Sequence, residues 1–96
     1  MRQYYLSPEA EQDIDDAITY LAAENLSAAD QFLESLFAAL DTLSENPHLG
    51  HIREDLTVKP VKFWTFKWHY LIIYLPENPI EIVRILSGHR DLMRLL

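Results

Sequence analysis

The sequence predicts an α+β fold with an N-terminal strand, an antiparallel helical hairpin packed on an antiparallel β-sheet, and a short C-terminal tail. Two observations predict it. In the first half of the chain, apolar residues recur at the spacing of amphipathic helices. In the second half, short runs of aromatic and β-branched residues are separated by turn residues. Nearly half of the 96 residues are hydrophobic, so residues 1–96 are expected to form a single domain with one core.

A short strand and a first helix open the chain. Residues 3–6 form a brief strand-like run, and Ser7 can then cap a helix because its hydroxyl accepts a hydrogen bond from a backbone N–H. Pro8 suits the first position of a helix, where its missing N–H has no partner to lose. An apolar stripe predicts that this helix covers residues 8–24.

A second helix follows almost at once. Ser27 and Asp30 have the spacing of a capping box, and a broad apolar stripe then predicts a helix that ends near Ser44. Because the connection at residues 25–26 is so short, the two helices must run antiparallel. A proline and a glycine end the second helix, and residues 51–59 are predicted to form an irregular connector.

Three strands are predicted after the connector, over residues 60–66, 68–75 and 80–86, with a turn at residues 76–79. The middle strand is apolar at both its even-numbered and its odd-numbered positions. That pattern is typical of a central strand that is covered on both faces. The residues after the last strand, 91–96, form the predicted tail.

The net charge of −7 is divided unevenly along the chain. Residues 1–50 contain ten acidic residues and one basic residue, whereas residues 51–96 contain seven basic and five acidic residues. This asymmetry predicts an acidic face on the helices and a mildly basic face on the sheet; alternatively, the acids only solvate exposed helix faces. Because nucleic-acid binding depends on clustered lysine and arginine, no direct nucleic-acid binding is expected.

Several classes of protein are disfavoured by what the sequence lacks. It contains no cysteine, so disulfides and thiolate metal sites are excluded. Its four histidines are scattered without a metal-binding spacing, so neither a metal site nor a cofactor is predicted. No apolar run approaches the roughly 20 residues that cross a bilayer, and no secretion signal is recognisable. A cytoplasmic protein without a membrane partner is expected.

Aromatic residues are unusually dense in the strand-rich half. They are Phe63, Trp64, Phe66, Trp68, Tyr70 and Tyr74. One sheet face under two helices cannot cover all six, so Trp64 or Trp68 is expected to reach the opposite face or the edge. An exposed tryptophan there is typical of a binding hot spot. The alternative is a second small core on that face, closed by the tail.

Cleavage of RNA by general acid–base chemistry would need a proton acceptor, a proton donor and cations near the phosphate. The candidate residues in the second half are His51, Arg53, Lys59, Lys62, Arg84, His89 and Arg90. Structural roles are favoured for several of them. Lys59 and Lys62 suit strand edges, where lysine discourages unwanted pairing. Arg84 lies in the middle of a strand, and an ion pair with Asp13 of the first helix is the favoured interpretation.

Segments spread over nearly the whole chain resemble a known family. They are Tyr5–Ile14, Glu45–Gly50, Val61–Phe63, Tyr70–Tyr74, Ile82–Leu86 and Arg90–Leu92. In this order and spacing, they resemble the ParE branch of the ParE/RelE toxins from bacterial type II toxin–antitoxin modules. The resemblance implies a toxin that poisons DNA gyrase and that a ParD-like antitoxin neutralises in a hetero-oligomer.

RelE-like relatives instead cut mRNA in the ribosomal A site, with basic residues and a tyrosine or histidine near the C-terminus. This sequence has no tyrosine after Arg90 and is acidic overall, and both features favour gyrase over RNA cleavage. Where many ParE-like chains carry histidine, this chain has Ser87, and His89 follows two residues later.

The sequence therefore predicts a non-catalytic toxin that acts through protein contact. The residues expected to contact gyrase are Trp64, Lys67, Trp68, Arg90, Asp91 and Leu95. One alternative is a ribosome-dependent endoribonuclease that uses Lys62, Arg84, His89 and Arg90. Another is a family member that is not toxic and only binds its antitoxin.

Overall fold

The chain folds into two layers, with helices on one face of a sheet. The computed structural model describes residues 4–55 and 57–88. In that part of the chain, the elements are β1 (Tyr4–Leu6), α1 (Pro8–Glu24), α2 (Leu26–Glu45), β2 (Lys62–Thr65), β3 (Tyr70–Leu75) and β4 (Ile80–Ser87). The predicted α+β class, with an N-terminal strand and a helical hairpin on a sheet, is confirmed.

The described strands form one sheet in the order β1-β4-β3-β2. The antiparallel pairing is confirmed for β2 with β3 and for β3 with β4. Strand β1 joins the sheet parallel to β4, so the sheet is mixed. The helical hairpin lies between β1 and β4 along the chain, and a parallel pair requires a long connection of this kind. Strands β1 and β2 are therefore the two edges.

Local capping fixes where the first helix begins. The Ser7 hydroxyl accepts a hydrogen bond from the Ala10 N–H at 3.0 Å and donates one to the Val83 carbonyl at 2.7 Å. The Ser7 backbone N–H also donates to the Ile82 carbonyl at 3.0 Å. The predicted cap and the predicted bounds of this helix are confirmed. Ser7 thus joins the start of α1 to the neighbouring strand β4.

The predicted capping box of the second helix is wrong. Helix α2 begins at Leu26, and its cap is Asn25, whose side chain accepts a hydrogen bond from the Ser27 N–H at 2.8 Å. Asparagine is among the best residues at this position. Ser27 already lies inside the helix, where its hydroxyl accepts a hydrogen bond from Gln31. Asp30 consequently has no capping role.

The main core lies between α2 and the sheet. Among the described residues, the largest fully buried side chains are Phe32, Leu36, Leu40, Leu43, Ile72, Tyr74, Ile80 and Ile82. Burial of each such side chain contributes roughly 1.5–3 kcal/mol to folding. Helix α2 contributes more of these side chains than α1, whose buried residues are alanines. A membrane-spanning helix is not found in the described residues.

A second, smaller core lies on the sheet face that is turned away from the helices. Its buried members are Val61, Phe63, Ile73 and Leu86, with Leu71, Leu75 and Val83 packed around them. Strand β3 is thus apolar on both faces, as predicted, and the small core predicted for this face is present. The tail at residues 91–96, predicted to close it, lies outside the described residues.

The middle strand begins later than predicted. Trp68 and His69 are not in a strand, because both have positive φ angles (53° and 66°) and form a turn before β3. The turn is held by aromatic packing on either side of it. Phe32 of α2 contacts Phe66 at 5.7 Å and Tyr70 at 4.8 Å between ring centroids. The chain must reverse direction between these two rings.

Candidate partner-binding surface

Arg84 and Asp13 form a structural ion pair. The Arg84 Nε and Nη2 donate to the two carboxylate oxygens of Asp13 at 2.7 and 2.8 Å, and the Ile85 backbone N–H donates to the same carboxylate at 2.9 Å. The side chains are 28% and 11% exposed, respectively. The predicted pair is confirmed, and it fastens α1 to β4. This contact uses the guanidinium edge that an RNA phosphate would otherwise occupy.

Lys62 is engaged with the segment that follows α2. Its Nζ donates to the Gly50 carbonyl at 3.2 Å. Next to it, the Tyr74 hydroxyl donates to the Pro47 carbonyl at 2.7 Å and accepts from the Gly50 N–H at 2.9 Å. Burial raises the pKa of Tyr74 above its ordinary value of 10.0, so the phenol stays protonated and able to donate. These contacts hold residues 47–50 against the sheet.

The same segment leads into His51, which covers part of the edge of β2. His51 and Phe63 exchange two backbone hydrogen bonds of 2.8 Å. The imidazole of His51 lies nearly parallel to the indole of Trp64, with ring centroids 6.4 Å apart and planes inclined by 17°. Trp64 is half-buried against the main core, on the face that the helices cover, and not on the opposite face that was offered for it or Trp68. Its indole is therefore only partly available to a partner.

Trp68 and Lys67 lie together in the turn that follows β2. Trp68 is 46% exposed, and the Lys67 Nζ lies 5.0 Å from the centre of its ring. That distance is typical of a cation–π contact. Trp68 belongs to neither core. The structure therefore places two of the predicted gyrase contacts side by side at the surface.

The other predicted contact residues divide into two groups. Trp64 lies in β2 itself, three residues before Lys67, and is linked to His51 rather than to the turn. Arg90, Asp91 and Leu95 lie outside the described residues, and so does His89 of the alternative RNA-cleaving set. The described part of the predicted surface therefore lies around β2 and the turn that follows it.

Sequence reasoning missed the apolar residues of the connector. Ile52 follows His51 and is largely exposed, and Val58 is fully exposed. The signal was available, since both are β-branched apolar residues within a largely polar segment. An Arg53–Asp55 ion pair of 2.9 Å also lies here, but its exposure to solvent makes it a weak stabiliser. We define the β2-edge surface as His51, Ile52, Trp64, Lys67 and Trp68.

The charge of the β2-edge surface contrasts with that of the helices. Residues 57–76 contain three lysines and no acidic residue. Residues 4–52 contain ten acidic residues and no lysine or arginine, and eight of those acids are exposed. They are Glu9, Glu11, Asp15, Asp16, Glu24, Asp30, Glu34 and Glu45. The helical layer is therefore acidic, and the β2 edge carries the opposite charge.

The described part of the chain contains no group of three or more histidine, cysteine or acidic side chains that could hold a metal ion. The β2-edge surface offers an exposed indole at Trp68, the imidazole of His51 beside Trp64, an ammonium group and the apolar side chain of Ile52. An exposed tryptophan suits contact with another protein, because it contributes large apolar contact area.

Comparison with known proteins agrees with this architecture. Residues 4–92 match the family model described as "ParE toxin of type II toxin-antitoxin system, parDE". A chain of the chromosomal ParDE TA system from P. aeruginosa has a similar structure, with a TM-score of 0.72 and 18% sequence identity. The match covers 93% of this chain and 98% of that chain. None of the curated proteins matches. Since the family model spans nearly the whole sequence, this chain belongs to the ParE toxin family of type II toxin–antitoxin systems.

Proposed function

We propose that this protein is a toxin that inhibits DNA gyrase by protein contact through its β2-edge surface, and that it catalyses no reaction itself. A ParD-like antitoxin neutralises it by binding it in the cytoplasm as a hetero-oligomer. Membership of the ParE toxin family supports a toxin role. The choice of gyrase comes from the ParE branch that the sequence resembles.

The observation that carries the proposal is the exposed Trp68 with Lys67 beside its ring. A largely apolar side chain of this size gains most when a partner removes it from water. Tryptophan is also enriched among the few residues that supply most of the energy of an interface. The surface therefore has the composition expected of a contact site.

The endoribonuclease alternative is less well supported. It requires cations that are free to meet the scissile phosphate. Arg84 is held by both oxygens of Asp13, and Lys62 donates to Gly50. The other two residues of the predicted RNA-cleaving set, His89 and Arg90, lie outside the described residues. Contact with a protein needs no such group, and we favour it for that reason.

An antitoxin partner is supported by the solved structure of the ParDE system, to which this chain is similar in fold. The acidic helical layer and the β2 edge differ in charge. If the antitoxin binds the helical layer and the target binds the β2 edge, the two interactions can be distinguished by the salt dependence and the mutational sensitivity of their binding. Co-purification with the product of a neighbouring gene tests this part.

The direct test is supercoiling of plasmid DNA by purified gyrase in the presence of this protein. Inhibition is expected for the native chain, and Trp68→Ala is expected to weaken it about tenfold or more. Tyr20→Ala is the matched control, because Tyr20 is another exposed aromatic residue, on α1 and away from the β2-edge surface. It should inhibit like the native chain.

Undiminished supercoiling at a high molar excess of the native protein would contradict the proposal. Codon-positioned cuts in toeprinting on translating ribosomes would instead identify the RNA-cleaving alternative. Expression that leaves growth unaffected would identify a family member that only binds its antitoxin.

A further inference from the structure

The turn between β2 and β3 has a backbone conformation that its own residues disfavour. The Tyr70 N–H bonds to the Lys67 carbonyl, and the two residues between them, Trp68 and His69, have φ angles of 53° and 66°. Two successive positive φ angles are the mark of a type I′ turn, which normally requires Asn-Gly or a similar pair. Histidine tolerates this region moderately well, but a bulky residue such as tryptophan is a true outlier there.

Packing in either hydrophobic core does not offset this strain. Trp68 is 46% exposed and belongs to neither core. By contrast, the rings on either side of the turn, Phe66 and Tyr70, pack on Phe32 of α2. The turn is therefore held rigidly at both ends while its central indole is presented to solvent. A residue held in this way loses little conformational freedom when it binds.

The charge around the turn indicates what kind of surface would receive the indole. Residues 57–76 contain no acidic residue, and the Lys67 ammonium lies against the indole itself. A pocket that accepts Trp68 must also accept this ammonium group. Carboxylates at the rim of the pocket would do so, whereas a basic rim would be repelled.

We propose that residues 67–69 form a preformed, strained docking turn whose Trp68 inserts into an apolar pocket with an acidic rim on another protein. This inference deepens the proposed function and rests on it in one respect, that the toxin acts through protein contact. It adds the mode of recognition and the chemistry of the pocket. Strain at an exposed position is commonly retained for a function of this kind.

The first test replaces the two central residues with the pair that the turn prefers. The double variant Trp68→Asn/His69→Gly relieves the strain and removes the indole. Its thermal midpoint should rise by about 5 °C or more, while its inhibition of gyrase should fall about 30-fold or more. Trp68→Ala is the matched control, since it removes the indole but keeps the unfavourable backbone. It should lose inhibition without a comparable gain in thermal midpoint.

The second test addresses the acidic rim. Lys67→Glu should weaken inhibition more than Lys67→Met, because the first substitution places like charges together and the second only removes an attraction. Equal losses of inhibition in the two variants would overturn the proposal that the rim of the pocket is acidic. An unchanged thermal midpoint in the Trp68→Asn/His69→Gly variant would show that the turn is not strained. Full inhibition of gyrase by that variant would overturn the docking role of Trp68.

Failure of this inference can be separated from failure of the proposed function. If the native chain leaves gyrase unaffected but arrests growth when expressed, gyrase is the wrong target, and relief of arrest by the Asn-Gly variant still supports the docking turn. Growth arrest that persists in that variant overturns the docking turn. A native chain that neither inhibits gyrase nor arrests growth overturns both the docking turn and the proposed function. A dimer in sedimentation that depends on Trp68 would place the indole in a second copy of this chain and would also overturn the proposal.

Discussion

Gly50 occupies a position where no side chain can be accommodated, and its replacement by alanine should be strongly destabilising. A Cβ built on Gly50 would lie 2.5 Å from the Tyr74 Oη, 2.7 Å from Cε1 and 2.9 Å from Cζ. Tyr74 is fully buried, and its hydroxyl is fixed between the Pro47 carbonyl and the Gly50 N–H. Neither the ring nor the segment can move without breaking these contacts.

The expected cost follows from those contacts. Overpacking of a well-packed interior costs about 1–3 kcal/mol, and displacement of the ring would also break two hydrogen bonds worth about 0.5–1.5 kcal/mol each. Gly50→Ala should therefore reduce the free energy of unfolding by about 2–6 kcal/mol. At about 4 °C per kcal/mol, the conversion for a domain near 100 residues, that corresponds to a fall of roughly 8–24 °C in the thermal midpoint.

A double-mutant cycle tests the reasoning more sharply than the single variant. Tyr74→Phe removes the 2.5 Å contact but leaves the ring carbons of position 74 too close to the new Cβ. The Gly50→Ala/Tyr74→Phe variant should therefore be destabilised by less than the sum of the two single changes, with a coupling of about 1 kcal/mol or more. Urea denaturation followed by circular dichroism measures all three values.

Gly88 provides the contrasting control. It has a φ of 78°, but a Cβ there would meet nothing within 4 Å. Gly88→Ala should cost only the backbone strain of about 1–2 kcal/mol. If Gly50→Ala is as stable as the native chain, or if the two changes add without coupling, the clash with Tyr74 is not what excludes a side chain at position 50.

Three further predictions concern the helices and Tyr74. Arg84→Met should cost about 1–3 kcal/mol in urea denaturation, less than for a fully buried pair, because Arg84 is partly exposed and Asp13 keeps its bond from a backbone N–H. Asn25→Ala should reduce the free energy of unfolding by about 1 kcal/mol, whereas Ser27→Ala should leave it nearly unchanged. The reverse order would show that Ser27, and not Asn25, caps the helix. Burial raises the pKa of Tyr74, so the stabilisation by the protonated phenol is present below pH 10 and is lost as the pH rises through the pKa of the folded state. Tyr74→Phe should therefore lose less stability above pH 10 than the native chain. Identical pH profiles of the two proteins would contradict this.

The helical hairpin could be predicted because its signals are local. A cap, a proline and an apolar stripe act within a few residues of one another, and Ser7 performs the role that its position indicates. The Arg84–Asp13 pair could be predicted across 71 positions for a different reason. A charged residue in the middle of a covered strand needs a partner, and Asp13 lies next to the inward stripe of the first helix.

The errors arose where tertiary contacts override local preference. Asn25 and Ser27 are both good caps, and the choice between them depends on the extended backbone of Asn25 at the end of α1. Trp68 and His69 lack every residue type that marks a turn, so their sequence indicates a strand. The reversal there is imposed by Phe32 packing on both sides of the turn. That information is not contained in the local sequence.

The charge pattern also constrains how such a toxin approaches its target. Gyrase acts on DNA, and eight exposed carboxylates on the helices would be repelled by phosphates. If gyrase is the target, the helical layer is therefore expected to face away from bound DNA. Residues 57–76 carry lysines without acids, so the edge containing Trp68 is the part of the described chain that can lie closest to DNA without repulsion. If gyrase is the target, the distribution of charge and the position of the exposed indole select the same orientation, with the β2 edge leading.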